Sequence, residues 1–189
     1  MANGTLKVQN IQTSSGSGTI TLGQSGETLA LGSGVTSKMN HPAFFAYKDA
    51  TSNLTDATYT TVVCNVETLD TDNGYDTSTG KYTIPVAGNY SVYFGAQGKA
   101  DGNGRCERVI CRLLRERSGQ SDFYVGYGEV DFRGNAARSA SVASTSCYEF
   151  NQGDILYPQI YVDVNAGTPT VQGSSSIYIT YIGAYRIGA

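Results

Sequence analysis

Residues 73–94 read NGYDTSTGKYTIPVAGNYSVYF, and this stretch decides the fold. Turn signals at Asn73-Gly74 and Gly80 precede a short run, Lys81–Ile84. From Asn89 to Ala96 the pattern has a period of two, with Tyr90, Val92, Phe94 and Ala96 pointing inward. That period belongs to a strand with one buried face. Pro85 has no N–H to give to a ladder and interrupts pairing between the two runs. Gly80 and Gly88 suit tight turns that need an unusual φ. Tyr75, Tyr82 and Tyr90 are large enough to fill the centre of a sandwich.

The same texture extends outward in both directions. Upstream lie a short aromatic strand at Ala43–Tyr47 and a run Thr60–Glu67 with Val62, Cys64 and Val66 on one face. Downstream come Cys106–Glu116, Phe123–Phe132, Ser139–Phe150, Asp154–Val164 and Ile177–Ile187. Leu156, Ile160, Val162 and Val164 share a face, and Pro158 between them argues for an edge or a bulge. Cys106, Val109, Ile110, Leu113 and Leu114 also fit a helical stripe; a strand is expected because a single helix would be isolated in such a chain. Close strand spacing with Asn-Gly, Asp-Gly and Gly-Asn turns predicts an all-β jelly roll or Greek-key sandwich. The closing run is apolar on both faces, and a strand of that kind is covered on both sides. At the end of a sandwich the second cover must be another subunit.

Residues 1–40 differ. They contain no aromatic residue, and the phrases TITLGQSGE and TLALGSG look like degenerate copies of one unit. Each copy exposes too little apolar surface to fold alone, so three chains wound into a β-repeat stalk are expected here, with a flexible Gly/Ser linker as the alternative, and the sandwich head in 41–189. Composition agrees with β-structure: the chain has 23 Gly and 14 Tyr, and its 15% of charged residues falls below the usual share for soluble domains. A net charge of -3 offers no attraction to nucleic acid, so no nucleic-acid partner is expected. No apolar run approaches the roughly 20 residues that span a bilayer, so no membrane insertion is expected. The opening lacks the order of a secretory signal, which predicts synthesis in a cytoplasm. Cys64, Cys106, Cys111 and Cys147 lack metal-finger spacing and read as small buried apolar side chains.

The 73–94 string resembles the central signature of the complement C1q-like heads, relatives of the tumour-necrosis-factor jelly rolls. Pro42–Tyr47 resembles their opening strand, Phe150-Asn-Gln-Gly-Asp154 their turn before the penultimate strand, and Ser176–Arg186 their closing strand. The resemblance covers about residues 42–187 and implies a homotrimer packed through first and last strands. Phe44, Phe45, Tyr181 and Tyr185 are then the trimer-interface candidates. No collagen stalk precedes the head. The opening MANGTLKVQNIQTSSGSGTITLGQSGE instead resembles the N-termini of bacteriophage fibre proteins. That implies a fibre or spike on a virion, attached to other virion proteins by its N-terminal segment and binding a host-surface glycan or protein through its head. The alternative is a structural virion component, a capsid decoration or tail adaptor, with no receptor.

No catalytic constellation stands out, and no enzyme activity is expected. His41, the one histidine, reads as a solvated residue or cap at the junction. Asp131, Asp154 and Asp163 are the carboxylates available for a glycosidase pair. Asp70, Asp72 and Asp76 superficially resemble a calcium loop, but the glycine comes one position early and the closing Glu is missing. No cofactor is expected; since some C1q-like relatives hold calcium, these three remain candidates for a structural Ca ion. Arg105, Arg108, Arg112, Arg115 and Arg117, interleaved with Glu107 and Glu116, read as cross-strand or intersubunit ion pairs, with an anionic-glycan site as the other option. The glycine-rich connections supply the receptor-loop candidates Asp101, Asn103, Asn135 and Asn165.

Overall fold

The computed structural model describes residues 41–188; the expected stalk at 1–40 lies outside the described residues. Strands in chain order are β1 (Ala43–Tyr47), β2 (Ala50–Asn53), β3 (Thr60–Thr61), β4 (Val66–Asp70), β5 (Tyr75–Asp76), β6 (Lys81–Thr83) and β7 (Gly88–Ala100). They continue as β8 (Cys106–Glu116), β9 (Phe123–Asp131), β10 (Ser139–Phe150), β11 (Ile155–Val164), β12 (Pro169–Ser174) and β13 (Tyr181–Gly188). No helix occurs among the described residues. The ambiguous 106–116 segment is strand β8, with Val109, Cys111 and Leu113 in the core.

Two antiparallel sheets face each other. The larger is organised around β7, whose one edge pairs with β10 from Gly88 to Lys99. Its other edge is shared: β13 takes Asn89 to Gly95 and β12 takes Gly98 to Ala100. Beyond β13 lie β1 and β4; beyond β12 lies β2. The smaller sheet runs β5-β6-β11-β8-β9, with β3 also on β11. First and last strands therefore sit side by side in the middle of the larger sheet, Ala43 opposite Tyr185 and Tyr47 opposite Tyr181.

The core follows from alternation. Phe44, Tyr82, Tyr90, Phe94, Phe150, Leu156 and Ile160 are essentially inaccessible to water. Phe44 stacks on Tyr82 at 4.0 Å and on Tyr75 at 5.0 Å between ring centroids, joining the two sheets. Offset aromatic pairs of this kind contribute about 1 kcal/mol beyond burial. The Tyr75 hydroxyl donates to the Cys64 carbonyl at 2.9 Å, and the Tyr90 hydroxyl to the Val86 carbonyl at 2.6 Å.

Several expectations are corrected. Thr60–Glu67 is not one strand: β3 belongs to the smaller sheet and β4 to the larger, and the intervening residues cross between them. Val62 and Cys64 are nonetheless buried on that crossing. Gly80, at φ +73°, lets the crossing pass close, since a Cβ there would lie 2.7 Å from the Val62 carbonyl oxygen. Pro158 sits at neither a sheet edge nor a bulge. It pairs with Leu113 in a central strand, and its carbonyl accepts from the Val62 N–H at 3.1 Å on the opposite edge. The N and O of one strand residue face the same side. The missing N–H therefore points to the stretch where the β11 neighbour changes from β6 to β3. The last strand begins at Tyr181, because Ile177–Thr180 form an irregular connection.

Asp154 ties the turn before β11 to its surroundings. Its carboxylate accepts a fork from Arg117, at 2.7 and 2.5 Å, and the Asn151 N–H at 2.9 Å. Burial pushes this carboxyl up, but the Arg117 bonds and the Asn151 N–H outweigh it and hold it below the usual carboxylate range. A depressed folded pKa stabilises the fold above the unfolded value of about 3.9 and loses that effect as pH falls through the folded one. Asp154→Asn should therefore lower stability at neutral pH, because it removes the charge that accepts the Arg117 fork and the Asn151 N–H. In urea unfolding across pH, the gap to wild type should narrow well below pH 4; a gap independent of pH would contradict this assignment.

Candidate functional site

Strand parity places the side chains of the larger sheet. On β1, Phe44 and Ala46 point into the core, so Phe45 and Tyr47 point out. Across the ladder Phe45 lies opposite Gly183 on β13, which lies opposite Tyr93 on β7. One pleat on, Tyr47 faces Tyr181, which faces Gly95. The two glycines open room for the two rings. A Cβ on Gly95 would fall 2.7 Å from Tyr181 Cζ, and a Cβ on Gly183 would strike the Tyr93 ring. Tyr93 and Tyr181 thus lie across each other's strand, each covering the glycine opposite it, with centroids 6.3 Å apart.

The outward rings form one sheet-wide cluster. Phe45 meets Tyr178 at 5.2 Å edge-on, Tyr181 at 6.0 Å and Tyr93 at 6.4 Å; Tyr178 also meets Tyr47 at 4.8 Å. Leu69 extends the Phe45 row onto β4, and Tyr185 and Ile187 extend β13. Within this single chain Tyr185 is 48% exposed and Tyr178 is 57% exposed. Burial raises the Tyr93 hydroxyl pKa, and the neighbouring Tyr185 and Tyr181 raise it further. Beside the cluster a groove of about 480 Å³ runs between Tyr181, Tyr178 and Ile177 on one side and Gln97, Ser141 and Ala143 on the other. A contiguous exposed patch of large apolar and aromatic side chains marks a contact surface.

The sequence candidates divide over this geometry. Phe45, Tyr181 and Tyr185 share the outward face. Phe44 does not; at 1% exposure it is part of the core stack and is closed to any partner. Tyr47, Tyr93, Tyr178 and Leu69 belong to the face and were not singled out by sequence reasoning.

The loop candidates Asp101, Asn103, Asn135 and Asn165 gather at one end. Register puts the Ala100–Cys106, Asp131–Ser139 and Val164–Pro169 connections beyond the C-terminal end of β7. Ala43, where the chain reaches its first strand, sits level with Ser91 near the other end of β7. Nine residues of strand separate these levels, about 30 Å at 3.3 Å per residue. The loops are laced together. Asp101 Oδ1 accepts the Thr168 N–H at 2.7 Å, and Asn165 Oδ1 accepts the Arg105 N–H at 3.0 Å. Asp101 and Asn165 thus hold the loop ends, while Asn103 and Asn135 stand at exposed tips.

The calcium candidates serve turns. Asp70 accepts the N–H groups of Asp72, at 3.1 Å, and Tyr75, at 2.7 Å; Asp76 accepts the Ser78 N–H and hydroxyl, which lower its pKa. Asp72 accepts the Thr71 hydroxyl at 2.6 Å. Among the described residues no group of three or more His, Cys, Asp or Glu is arranged to hold a metal ion.

The glycosidase carboxylates are likewise committed. Arg108 stands between Asp131 and Asp163 in one cross-strand row, and Asp154 lies elsewhere, in the Arg117 fork. Hydrogen bonds from Arg133 hold Asp131 down at about 2, the wrong direction for a general acid at neutral pH. Cys147 is exposed on β10 rather than buried; Cys64 and Cys111 are buried thiols pushed up to about 12, where no reactive thiolate forms. His41 is exposed just ahead of β1.

Solved structures repeat this architecture. The globular domain of zebrafish complement 1qA matches with a TM-score of 0.55 at 17% identity, over 77% of this chain and 97% of that one. Murine APRIL matches with a TM-score of 0.57 at 17% identity, over 78% of this chain and 100% of that one. Eiger TNF from S. frugiperda matches with a TM-score of 0.54 at 12% identity, over 78% of this chain and 92% of that one. No protein-family model and no curated protein sequence matches this chain. At these identities the likeness concerns the fold, and the fold of residues 41–188 is the jelly-roll sandwich of the C1q and tumour-necrosis-factor heads.

Proposed function

We propose that this chain is a non-catalytic, homotrimeric fibre or spike protein of a bacteriophage virion, whose head contacts a host-surface glycan or protein. The observation that carries the reading is the outward aromatic face of β1, β13 and β7, which a lone chain leaves wet. Each copy hides this face against two sisters, so first and last strands line a common axis. Closed symmetry of this kind removes the patch without leaving a free apolar end. The chain reaches the head at one end of the sandwich and the laced loops stand at the other, about 30 Å away along β7. In this reading residues 1–40 attach to other virion proteins, and the loops recur in three copies on the head, which favours avidity over single tight contacts. The virion setting is supported by the resemblance of the N-terminal segment to phage fibre openings.

The full chain is expected to sediment as a trimer. Tyr185→Glu combined with Phe45→Glu should give a folded monomer, since both positions lie outside the core. A wild-type chain that sediments as a well-folded monomer contradicts the proposal. The wild-type protein should compete with particles for host adsorption; trimers that do not compete favour a decoration or adaptor role instead.

The loop assignment separates two kinds of substitution. Asp101→Ala should lower stability by about 1 kcal/mol and speed amide exchange at Thr168, because it removes an acceptor. Asn103→Ala and Asn135→Ala should leave stability unchanged and weaken only the competition for adsorption. If Asp101→Ala leaves Thr168 exchange unchanged, the lacing role is wrong.

A further inference from the structure

The opposite face of the sandwich, the outer surface of the smaller sheet, carries a cluster that the assembly reading leaves unused. Its centre is Arg112 on β8. In register, Tyr127 of β9, Arg112, Gln159 of β11 and Thr61 of β3 form one row. The Arg112 guanidinium lies over Tyr59, with Cζ 3.4 Å from the ring centroid, and 5.0 Å from the centroid of Tyr124. Gln159 Oε1 accepts from Nε at 2.8 Å and from Nη2 at 2.5 Å, and the Tyr124 hydroxyl accepts from Nη1 at 3.0 Å. A side chain held on both a ring and an amide has already given up its rotamer freedom.

Charge separates Arg112 from Arg108, Arg117 and Arg133. Arg108 is paired with Glu129, Arg117 with Asp154 and Arg133 with Asp131. Arg112 bonds only neutral oxygens among the described residues. A guanidinium has five N–H donors, so one remains on each of Nη1 and Nη2. The site therefore presents a pre-oriented cation with no carboxylate partner among the described residues. Tyr124, at 56% exposure, and Tyr127, at 53%, rise beside it. Flat phenol faces next to amide and hydroxyl groups suit a ligand with an apolar face and a polar edge, which is the surface of a pyranose ring.

We infer that Arg112, with Tyr59, Tyr124, Tyr127 and Gln159, binds a carboxylate-bearing saccharide. The sugar carboxylate takes the open Nη1 and Nη2 edge, and the ring lies on Tyr124 or Tyr127. Charge complementarity selects this occupant. Arg112 has no carboxylate partner among the described residues. Glu129 takes the Arg108 guanidinium and the Tyr127 hydroxyl, and Asp131 and Asp163 lie on the same sheet. The single charge of Arg112 therefore suits one carboxylate better than a polyphosphate. Every residue of the site comes from one chain, and the site lies on the sheet opposite the aromatic face. The inference rests on the proposed reading of the head as a recognition module and names its ligand class.

The test uses the full chain on an array of oligosaccharides containing uronic or sialic acids, beside their neutral counterparts. Acidic members should bind and neutral ones should not, and added salt should weaken the binding. Arg112→Gln should reduce the signal at least tenfold, and Tyr124→Ala should also reduce it, while sedimentation and thermal unfolding stay as in wild type. Arg112→Lys, which keeps the charge but loses the fork and the stack, should fail to restore wild-type binding. Absence of acidic-glycan binding by the folded wild-type trimer overturns the site, as does binding untouched by Arg112→Gln. Adsorption competition distinguishes the two readings. An Arg112→Gln trimer that competes as well as wild type sinks the site alone, whereas a wild-type trimer that never competes sinks the receptor reading.

Discussion

The first and last strands pair in the middle of the larger sheet, and each carries large apolar side chains on both faces. Inward, Phe44 stacks with Tyr75 and Tyr82 and closes the sandwich. Outward, Phe45, Tyr181 and Tyr185 form a second layer with Tyr93 and Tyr178. A sandwich has only one interior, so its own fold can bury only the first layer. The second layer is the constraint on which the proposed biology depends. It also explains the glycines at 95 and 183, which let the Tyr93 and Tyr181 rings lie flat and smooth the face instead of roughening it.

The two sheets divide the chemistry. The larger presents hydrocarbon and phenol to solvent with few charges; the smaller carries the paired cations and anions and the Arg112 cluster. Cross-strand pairing on the smaller sheet, with Arg108 flanked by Asp131 and Asp163, neutralises charge locally and keeps that surface wet. On the proposed trimer these roles match an inner sheet against the axis and an outer sheet facing the medium. The end loops, laced by Asp101 and Asn165, add a third surface whose shape is held by side chain to backbone bonds.

Much of this was legible in the sequence because period-two patterning reports directly on a half-buried strand. Asn89–Ala96 and Cys106–Glu116 both lie within strands as expected, although periodicity alone favours a helix for the second. What escaped has physical causes. Ala50–Asn53 and Pro169–Ser174 are strands made of polar and small residues, whose pairing is set by β7 and by each other rather than by their own hydrophobicity. Thr60–Glu67 read as one strand because Val62, Cys64 and Val66 alternate, yet the segment changes sheets and buries two of them in passing. Phe44 and Phe45 were both assigned to the interface, although adjacent strand residues face opposite ways and only one can point outward. In the sequence Arg112 is one of five arginines with an anionic-glycan option, but its setting is not legible there, since Tyr59, Tyr124 and Gln159 are brought to it only by the folded sheet.

The central claim, that the outward aromatic face of the larger sheet is closed by sister copies, is tested most directly by hydroxyl-radical footprinting of the intact protein. In a single chain Tyr178 and Tyr185 are about as open as Tyr124 and Tyr127, so the last two serve as internal standards. Closure by sister copies gives slow modification of Tyr178 and Tyr185 beside fast modification of Tyr124 and Tyr127. Equal rates at all four tyrosines in the native protein would contradict it.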